Sequence, residues 1–203
     1  MPVNTAHPVT LTLAVTGASG SVYAIEMLRA LAADDRVSHI DLVLSPSAMR
    51  VLAEETAVQG RNALVEKILG HASKKIALLA HEDIGAPIAS GSYPSGGMII
   101  LPCSMGTLGG IAHGLAANLI ERAADVTLKE CRPLILCVRE TPLNLIHIRN
   151  MAAATEAGAV IYPCIPTLYD KPQDTTAMAR NFVNRVLQHI GLPQPGAFQW
   201  GSN

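Results

Sequence analysis

Short apolar runs alternate with amphipathic segments along most of the chain. The clearest pair lies in residues 11–32, where an apolar, β-branched run is followed by apolar residues at helical spacing. Between the two halves stands Gly17-Ala18-Ser19-Gly20-Ser21, a composition typical of a tight turn. This pattern predicts a strand, a turn and a helix. The apolar residues of the helical half are Val22, Ile25, Met27, Leu28 and Leu31.

The same alternation continues towards the end of the chain. Further strands are predicted at 39–45, 75–79, 98–102, 133–138 and 159–162. Helices are predicted at 49–55, 61–69, 107–115, 119–129 and 144–156, and a final helix capped by Asp174 is predicted to run to about Ile190. Residues 84–97 are rich in glycine, proline and small side chains and predict an irregular loop.

Strands that alternate with helices through short junctions predict a three-layer α/β fold, Rossmann-like or flavodoxin-like, with a largely parallel sheet. No repeat or linker divides the pattern, so we expect a single domain over residues 1–203 with a core at about 11–192. The segment from Gly191 to Asn203 contains three glycines, two prolines and the isolated Trp200. This composition fits either a disordered tail or an arm that packs on a neighbouring subunit.

The glycine-rich turn at 17–21 is the first candidate site. Glycines allow a ligand to approach the backbone closely, and the amides at the start of a helix bind anions. A phosphate is therefore the expected ligand. The spacing of Gly17 and Gly20 is not that of the dinucleotide fingerprint, and the segment also fits a connection that merely turns. The turn by itself does not distinguish a phosphate site from a simple strand–helix connection.

Other candidate residues stand where predicted strands end. In parallel sheets the carboxyl ends of the strands face the ligand. Ser45 ends the second strand and is either a ligand contact or a helix N-cap. A second small-residue junction follows residues 98–102, and Arg139-Glu140 follows the strand at 133–138. This charged pair is either a structural ion pair or part of a ligand site.

Composition limits the classes of partner. Hydrophobic residues make up 49% of the 203 residues and charged residues 15%, which indicates an unusually large core or surfaces buried against other subunits. We favour a homo-oligomer. The formal charge is −1 and no basic block is present, which argues against binding to nucleic acid.

The four cysteines lie in apolar or strand-like contexts without a Cys-x-x-Cys pair, which is typical of reduced core residues in a cytoplasmic protein. The seven histidines are scattered, so we predict no metal site. No apolar run approaches the ~18 residues of a membrane span, and no basic leader precedes one at the N-terminus. We therefore expect a protein that is neither exported nor inserted in a membrane.

Several separated motifs together resemble one family. The chain is similar to the UbiX-type flavin prenyltransferases, within the wider group of homo-oligomeric flavin-containing cysteine decarboxylase-like folds, from Leu11 to about Leu192. The motifs that carry the resemblance are Thr16-Gly17-Ala18-Ser19-Gly20, Ile88-Ala89-Ser90-Gly91-Ser92, Pro102-Cys103-Ser104-Met105, Arg122-Ala123-Ala124-Asp125-Val126-Thr127-Leu128-Lys129-Glu130, Arg139-Glu140-Thr141-Pro142-Leu143, Pro166-Thr167-Leu168-Tyr169 and Arg185.

The resemblance implies a metal-independent enzyme that joins a dimethylallyl group from dimethylallyl monophosphate to N5 and C6 of reduced FMN. The product, prenylated FMN, serves UbiD-type decarboxylases, and the expected assembly is a homododecamer. The resemblance implies that FMN is bound by Gly17, Ala18, Ser19, Ser45, Ser104, Met105, Gly106, Thr107 and Arg139. It implies that the prenyl donor is bound by Tyr169 and Arg185, with Lys129, Arg122 and Ser90 as auxiliary contacts.

Three side chains are candidates for the chemical step. Ring closure on the flavin requires a proton to leave C6, and Glu140 lies next to the FMN-binding Arg139, so Glu140 is the expected proton relay. Ser19 and Glu55 are further catalytic candidates by resemblance. Arginines suit the leaving phosphate because they offer two parallel, charged donors.

Two other functions remain open at this stage. A flavoprotein of this fold group could decarboxylate an aromatic acid or a peptidyl cysteine directly, since fold alone does not fix the reaction. It could also bind and deliver flavin without catalysis. Tyr169 and Arg185 favour prenyl transfer over direct decarboxylation.

Overall fold

Six parallel strands form one sheet at the centre of the protein. The structure is a computed structural model that describes residues 2, 3, 7–198 and 201. Trp200, named above in the tail, lies outside the described residues. The strands are β1 (Val9–Val15), β2 (Val37–Leu44), β3 (Ile76–Leu79), β4 (Ser95–Cys103), β5 (Leu134–Val138) and β6 (Val160–Ile161), in the order β3-β2-β1-β4-β5-β6.

Helices cover both faces of this sheet. Their bounds are α1 (Ser21–Ala33), α2 (Pro46–Glu55), α3 (Leu64–Leu69), α4 (Met105–Ala112), α5 (Leu119–Lys129), α6 (Leu145–Glu156) and α7 (Thr175–His189). The first three helices and α7 share one hydrophobic cluster with the sheet, whereas α4, α5 and α6 belong to a second cluster on the other face. The three-layer α/β fold with a parallel sheet is therefore confirmed.

The central strands are apolar on both sides because each contributes to both clusters. Along β4, Ile99 faces the cluster of α1 and α7, and Ile100 faces the cluster of α4 and α5. Both side chains are at most 1% exposed. A strand that is buried on both faces does not alternate polar and apolar residues, because neither face contacts solvent. This explains the continuous apolar run at 98–102.

The carboxyl ends of four strands are tied together along one edge. The Ser45 amide donates to the Val15 carbonyl (3.0 Å), the Thr16 amide donates to the Pro102 carbonyl (3.1 Å), and the Arg139 amide donates to the Cys103 carbonyl (3.1 Å). The strand order reverses between β1 and β4, and ligands of open α/β sheets bind at such a point. This edge therefore brings the predicted junction residues side by side.

Helix starts account for most of the differences from the sequence prediction. Ser45 and Ser104 are N-caps, so α2 begins at Pro46 and α4 at Met105, three and two residues earlier than predicted. The helix predicted from Arg61 begins only at Leu64, and β4 begins at Ser95 because the loop before it is shorter than expected. Helix α5 has the predicted bounds.

The cysteines differ from expectation at one position. Cys103 and Cys137 are buried and Cys164 is partly buried, but Cys131 is exposed, so its assignment to the core is wrong. Cys131 follows the end of α5 and has a positive φ of 53°, which places it in a turn. All four are free thiols.

The described part of the tail lies against its own chain. Leu192 is fully buried, and Gln194 Nε2 donates to Asp34 Oδ2 (2.9 Å). The Arg36 guanidinium donates to both Asp34 and the Pro193 carbonyl. Within the described ranges, no helix is long and apolar enough to cross a membrane.

The buried Thr16 hydroxyl should contribute strongly to stability. It donates to the Pro102 carbonyl (2.8 Å) and accepts from the Ser104 amide (2.7 Å). Thr16→Val leaves that amide without a partner and should cost about 1–3 kcal/mol of unfolding free energy. Thr16→Ser keeps the hydroxyl and should cost less. Urea unfolding of both variants tests this, and a valine variant as stable as wild type would contradict it.

Candidate active site

A cavity of about 470 Å³ opens at the carboxyl edge of the sheet. The β1–α1 turn, the end of α2, the end of β5 and the start of α7 surround it. Two predicted site residues from distant parts of the sequence, Glu55 and Arg139, meet here. The lining residues are Ser19, Gly20, Val22, Tyr23, Glu55, Thr56, Arg139, Cys164 and Thr175.

The glycine-rich turn allows α1 and α2 to approach closely. A Cβ atom on Gly17 would lie 2.5 Å from the Cβ of Ser47, which is too close for any larger residue without movement of α2. Gly20 has a φ of 118°, a value that favours glycine. The two glycines therefore set the shape of this end of the cavity.

The anion at the start of α1 is a side chain of the protein. The Glu55 carboxylate accepts hydrogen bonds from the amides of Gly20 (3.0 Å) and Ser21 (2.7 Å). Burial raises the pKa of Glu55, but hydrogen bonds from Ser19, Ser21 and Gly20 outweigh it and hold the pKa below its ordinary value. These two amides are therefore bound by a carboxylate, and a ligand phosphate has to use other donors.

Hydroxyl groups also lie at the starts of two other helices on this edge. Ser45 Oγ accepts from the Ala48 amide (3.1 Å) and lies 3.1 Å from the Ser47 hydroxyl. Ser104 Oγ caps α4 by accepting from the Thr107 amide and lies 3.1 Å from the Thr107 hydroxyl. The N-cap interpretation of Ser45 is thus correct, and a capping hydroxyl keeps a proton that it can donate to a ligand.

The first turn of α4 borders open space. A Cβ on Gly106 would meet no atom within 4 Å, and neighbouring Met105 is buried at 9% exposure. The backbone of this turn can therefore approach a ligand. The Ala18 side chain is also buried, so this residue can contact a ligand only through its backbone.

Arg139 and Glu140 do not form the structural pair considered from the sequence. Both residues are exposed, and no ion pair joins them among the residues described. Glu140 Oε1 accepts from the Thr141 amide (3.0 Å). Arg139 lies near two groups of the cavity wall: its charge lowers the pKa of Tyr23 and Cys164, although burial raises both and leaves Cys164 at about 12. Cys164 is therefore a neutral thiol and not a nucleophile at neutral pH.

A second cavity of about 280 Å³ lies beside the first stretch of the C-terminal tail. It is lined by Thr167, Tyr169, Arg185 and Phe198. The rings of Tyr169 and Phe198 are stacked with centroids 6.5 Å apart. The structure therefore brings together the two residues that the sequence predicts for the prenyl donor.

The remaining predicted contacts form a third cluster elsewhere. Arg122 donates to the Ala89 carbonyl (3.2 Å) and pairs with Asp125, while Lys129 pairs with Glu130 against Gly91. Lys129 ends α5 just before β5 begins, so it lies at the amino edge of the sheet. Arg139 ends β5 at the opposite edge, and the five residues of β5 span about 16 Å.

Ser90 belongs to this same amino-edge cluster. Its hydroxyl lies 2.9 Å from that of Ser92, and the intervening Gly91 carbonyl accepts from Arg132 (2.7 Å). Lys129 and Ser90 therefore do not converge with Arg139 within one chain.

Several cavity residues were missed by sequence reasoning. Tyr23, Cys164 and Thr175 line the first cavity, and Ser47 supports its turn, yet none was singled out. Ser47 carries a local signal, because a second hydroxyl two residues after the predicted strand end fits a capped helix start. The other three depend on how α1, β6 and α7 pack, which no local pattern reveals.

Comparisons with known proteins agree on one group. The family described as Flavoprotein matches residues 3–190. A flavin prenyltransferase UbiX of Salmonella typhimurium is 44% identical over 185 residues, which cover 91% of this chain and 93% of that protein.

Two solved structures share the whole fold. The structure of AnUbiX (PadA1) in complex with FMN and dimethylallyl pyrophosphate has a TM-score of 0.87 and 36% identity, and the match covers 97% of this chain and 100% of the other. A dodecameric FMN-dependent UbiX-like decarboxylase from Escherichia coli O157:H7 has a TM-score of 0.84 and 37% identity, with 94% and 98% covered.

The Glu55 contact should depend on pH. Because its pKa is lowered in the folded protein, the carboxylate stabilises the fold above its unfolded pKa of about 4.3 and loses this effect as the pH falls through the folded value. Glu55→Gln should therefore lower the thermal unfolding temperature at pH 7 and make little difference in more acidic buffer, below the folded pKa.

Glu54→Gln is the matched control, because Glu54 pairs with Arg50 on the exposed surface of α2. An equal effect of Glu55→Gln at pH 7 and in acid, or an equal effect of the two substitutions, would contradict the proposed contact.

Proposed function

The chain belongs to the UbiX flavin prenyltransferases, within the Flavoprotein family, and we propose that it makes prenylated FMN by joining a dimethylallyl group from dimethylallyl monophosphate to N5 and C6 of reduced FMN. The observation that carries this function is a pair of separate cavities, one at the carboxyl edge with Arg139 and one lined by Arg185 of α7. Two separate anionic ligands need two separate cations, and FMN and the prenyl donor are such ligands.

The first cavity, which Ser19 and Arg139 line, and the helix starts along the same sheet edge together fit FMN. Gly17, Ala18 and Ser19 offer backbone along the turn, and Gly106 leaves open space beside α4. The capping hydroxyls of Ser45 and Ser104, with the Met105 amide and the Thr107 hydroxyl, supply donors to an anionic or carbonyl-rich ligand. Arg139 adds a guanidinium that makes no ion pair with any described residue. When bound, reduced FMN supplies the electron-rich ring that accepts the prenyl group.

The second cavity fits the prenyl donor. Arg185 can bind the phosphate through parallel N–H donors, and these contacts strengthen as negative charge grows on the leaving group. Tyr169 and Phe198 form an apolar wall that excludes water from an allylic cation. Interactions that strengthen in the transition state raise the rate and not only the affinity.

Proton transfer is assigned to carboxylates near the two cavities. Glu140 follows Arg139 directly and is exposed, so it can accept the proton that leaves C6 and pass it to the departing phosphate. Glu55 remains ionised at neutral pH because its pKa is low. Its hydrogen bond with Ser19 fixes that hydroxyl at the cavity wall.

The amino-edge cluster implies an active site shared between subunits. A homododecamer, the assembly of the related decarboxylase from Escherichia coli, would let Lys129, Arg122 and Ser90 of one subunit complete the cavity of a neighbour. Exposed apolar side chains around the start of α6 supply a contact surface. They are Leu143, Leu145, Ile146 and Ile148.

The wider setting follows from the product. Prenylated FMN has to reach an enzyme that uses it, and a UbiD-type decarboxylase is the proposed recipient. The four free thiols fit a reducing compartment, and we assign the protein to the cytoplasm.

Mass spectrometry of the flavin tests the function directly. Anaerobic incubation with FMN, a reductant and dimethylallyl monophosphate should yield flavin carrying one dimethylallyl group, with the diphosphate run in parallel. Arg139→Ala should weaken FMN binding by about tenfold or more, since a charge-assisted contact is lost. Arg185→Ala should keep FMN and lose prenylation. Glu140→Gln should bind both ligands but form product slowly, because an amide cannot accept the proton.

Arg50→Ala is the control, because Arg50 is an exposed arginine that pairs with Glu54 on the surface and lines neither cavity. Unmodified flavin from the wild-type protein, or decarboxylation of an aromatic acid without a prenyl donor, would contradict the proposed function.

A further inference from the structure

Three of the chain's few aromatic residues gather between the two cavities. Tyr23, which lines the first cavity, meets Phe182 edge to face with centroids 5.0 Å apart. Phe182 in turn meets Tyr162 at 5.5 Å, and Tyr162 meets His189 at 5.9 Å. Tyr162, Phe182 and His189 belong to none of the motifs in the sequence.

The Tyr162 ring lies alongside the turn of α7 that carries Arg185. Phe182 and His189 are seven residues apart on that helix, a rise of about 10 Å, and Tyr162 contacts both. Arg185 lies between them in the sequence and three residues from Phe182, so it shares their side of the helix. The Tyr162 ring therefore lies next to the Arg185 side chain.

Two polar groups of the chain reach the Arg185 guanidinium. Gln188 Oε1 accepts a hydrogen bond from Arg185 Nη1 (2.8 Å). Tyr162 lies beside Arg185 through its contacts with Phe182 and His189, and although burial raises the pKa of Tyr162, the charge of Arg185 and a hydrogen bond with it act in the opposite direction. A guanidinium has five N–H donors, so donors remain for a ligand in the cavity.

Tyr162 itself is held firmly. Its amide donates to the Leu136 carbonyl (2.9 Å), which extends the sheet beyond β6. Its ring is half-buried and packs against Phe182, a residue only 2% exposed. An arginine on an exposed helix position loses conformational freedom when it binds a phosphate, and a fixed partner reduces that cost in advance.

We propose that Tyr162 and Gln188 are positioning residues that hold the Arg185 guanidinium at the Tyr169 cavity for the phosphate of the prenyl donor. The proposal rests on the proposed function, in which Arg185 binds that phosphate. Neither residue touches the reacting atoms, and both act through Arg185. Their contribution is to donor affinity and to the departure of the phosphate.

The test compares Tyr162→Phe, which keeps the ring and removes only the hydroxyl, with wild type. We expect the KM for dimethylallyl monophosphate to rise by about two- to tenfold, because the Arg185 side chain then has to be ordered when the donor binds. The affinity for FMN and the thermal unfolding temperature should stay unchanged. Gln188→Leu should act in the same direction. Gln59→Leu is the matched control, because Gln59 is an exposed glutamine between α2 and α3 that lines neither cavity.

A double-mutant cycle shows whether the effect passes through Arg185. Donor affinity is measured by calorimetry on the holoenzyme with oxidised FMN, where no transfer occurs. In the Arg185→Ala background, Tyr162→Phe should cause no further loss. An unchanged KM in Tyr162→Phe, or an equal loss in both backgrounds, would overturn the positioning role. If Arg185→Ala itself binds and transfers normally, the donor site of the proposed function fails instead.

Discussion

Hydrogen bonds along the carboxyl edge of the sheet hold the structure's functional end together. Thr16 is central to them, because its hydroxyl accepts from the Ser104 amide and donates to the Pro102 carbonyl. This buried group joins β1 to β4 where the strand order reverses, and it fixes where α4 begins relative to the β1–α1 turn. The capping hydroxyls and Arg139 depend on that alignment, since each stands one residue beyond a tied strand.

Local patterns were sufficient for the fold and for the residues at the strand ends. The bounds of Leu119–Lys129 were predictable because Asn118 caps a strongly amphipathic helix. The rule that ligands bind at carboxyl ends of parallel strands also led to Ser45 and Arg139. Helix starts were less predictable. Ser104 follows β4 directly and caps α4, and the sequence around it does not show where the strand ends and the helix begins.

Long-range contacts were not predictable from one sequence. Glu55 binds the amides of Gly20 and Ser21, which lie more than thirty residues away, and no local signal marks this contact. Tyr162 meets Phe182 and His189 only because β6 and α7 pack together. The same limit applies to Lys129, whose motif is recognisable but whose place at the opposite sheet edge from Arg139 follows from topology. A motif identifies a residue without saying which subunit's site it completes.

Mixed assemblies test most directly whether the active site is shared between subunits. Arg185 and Lys129 lie in separate clusters of one chain. Arg185→Ala and Lys129→Ala chains are each expected to be inactive alone, because every site in such an oligomer lacks one of these two cations. Co-expressed in equal amounts, they should form mixed oligomers in which about a quarter of the sites combine an intact Arg185 with a neighbour's intact Lys129. Prenylated FMN should then form at a corresponding fraction of the wild-type rate. Oligomers shown by native mass spectrometry to be mixed, yet no more active than the separate variants, would contradict a shared site.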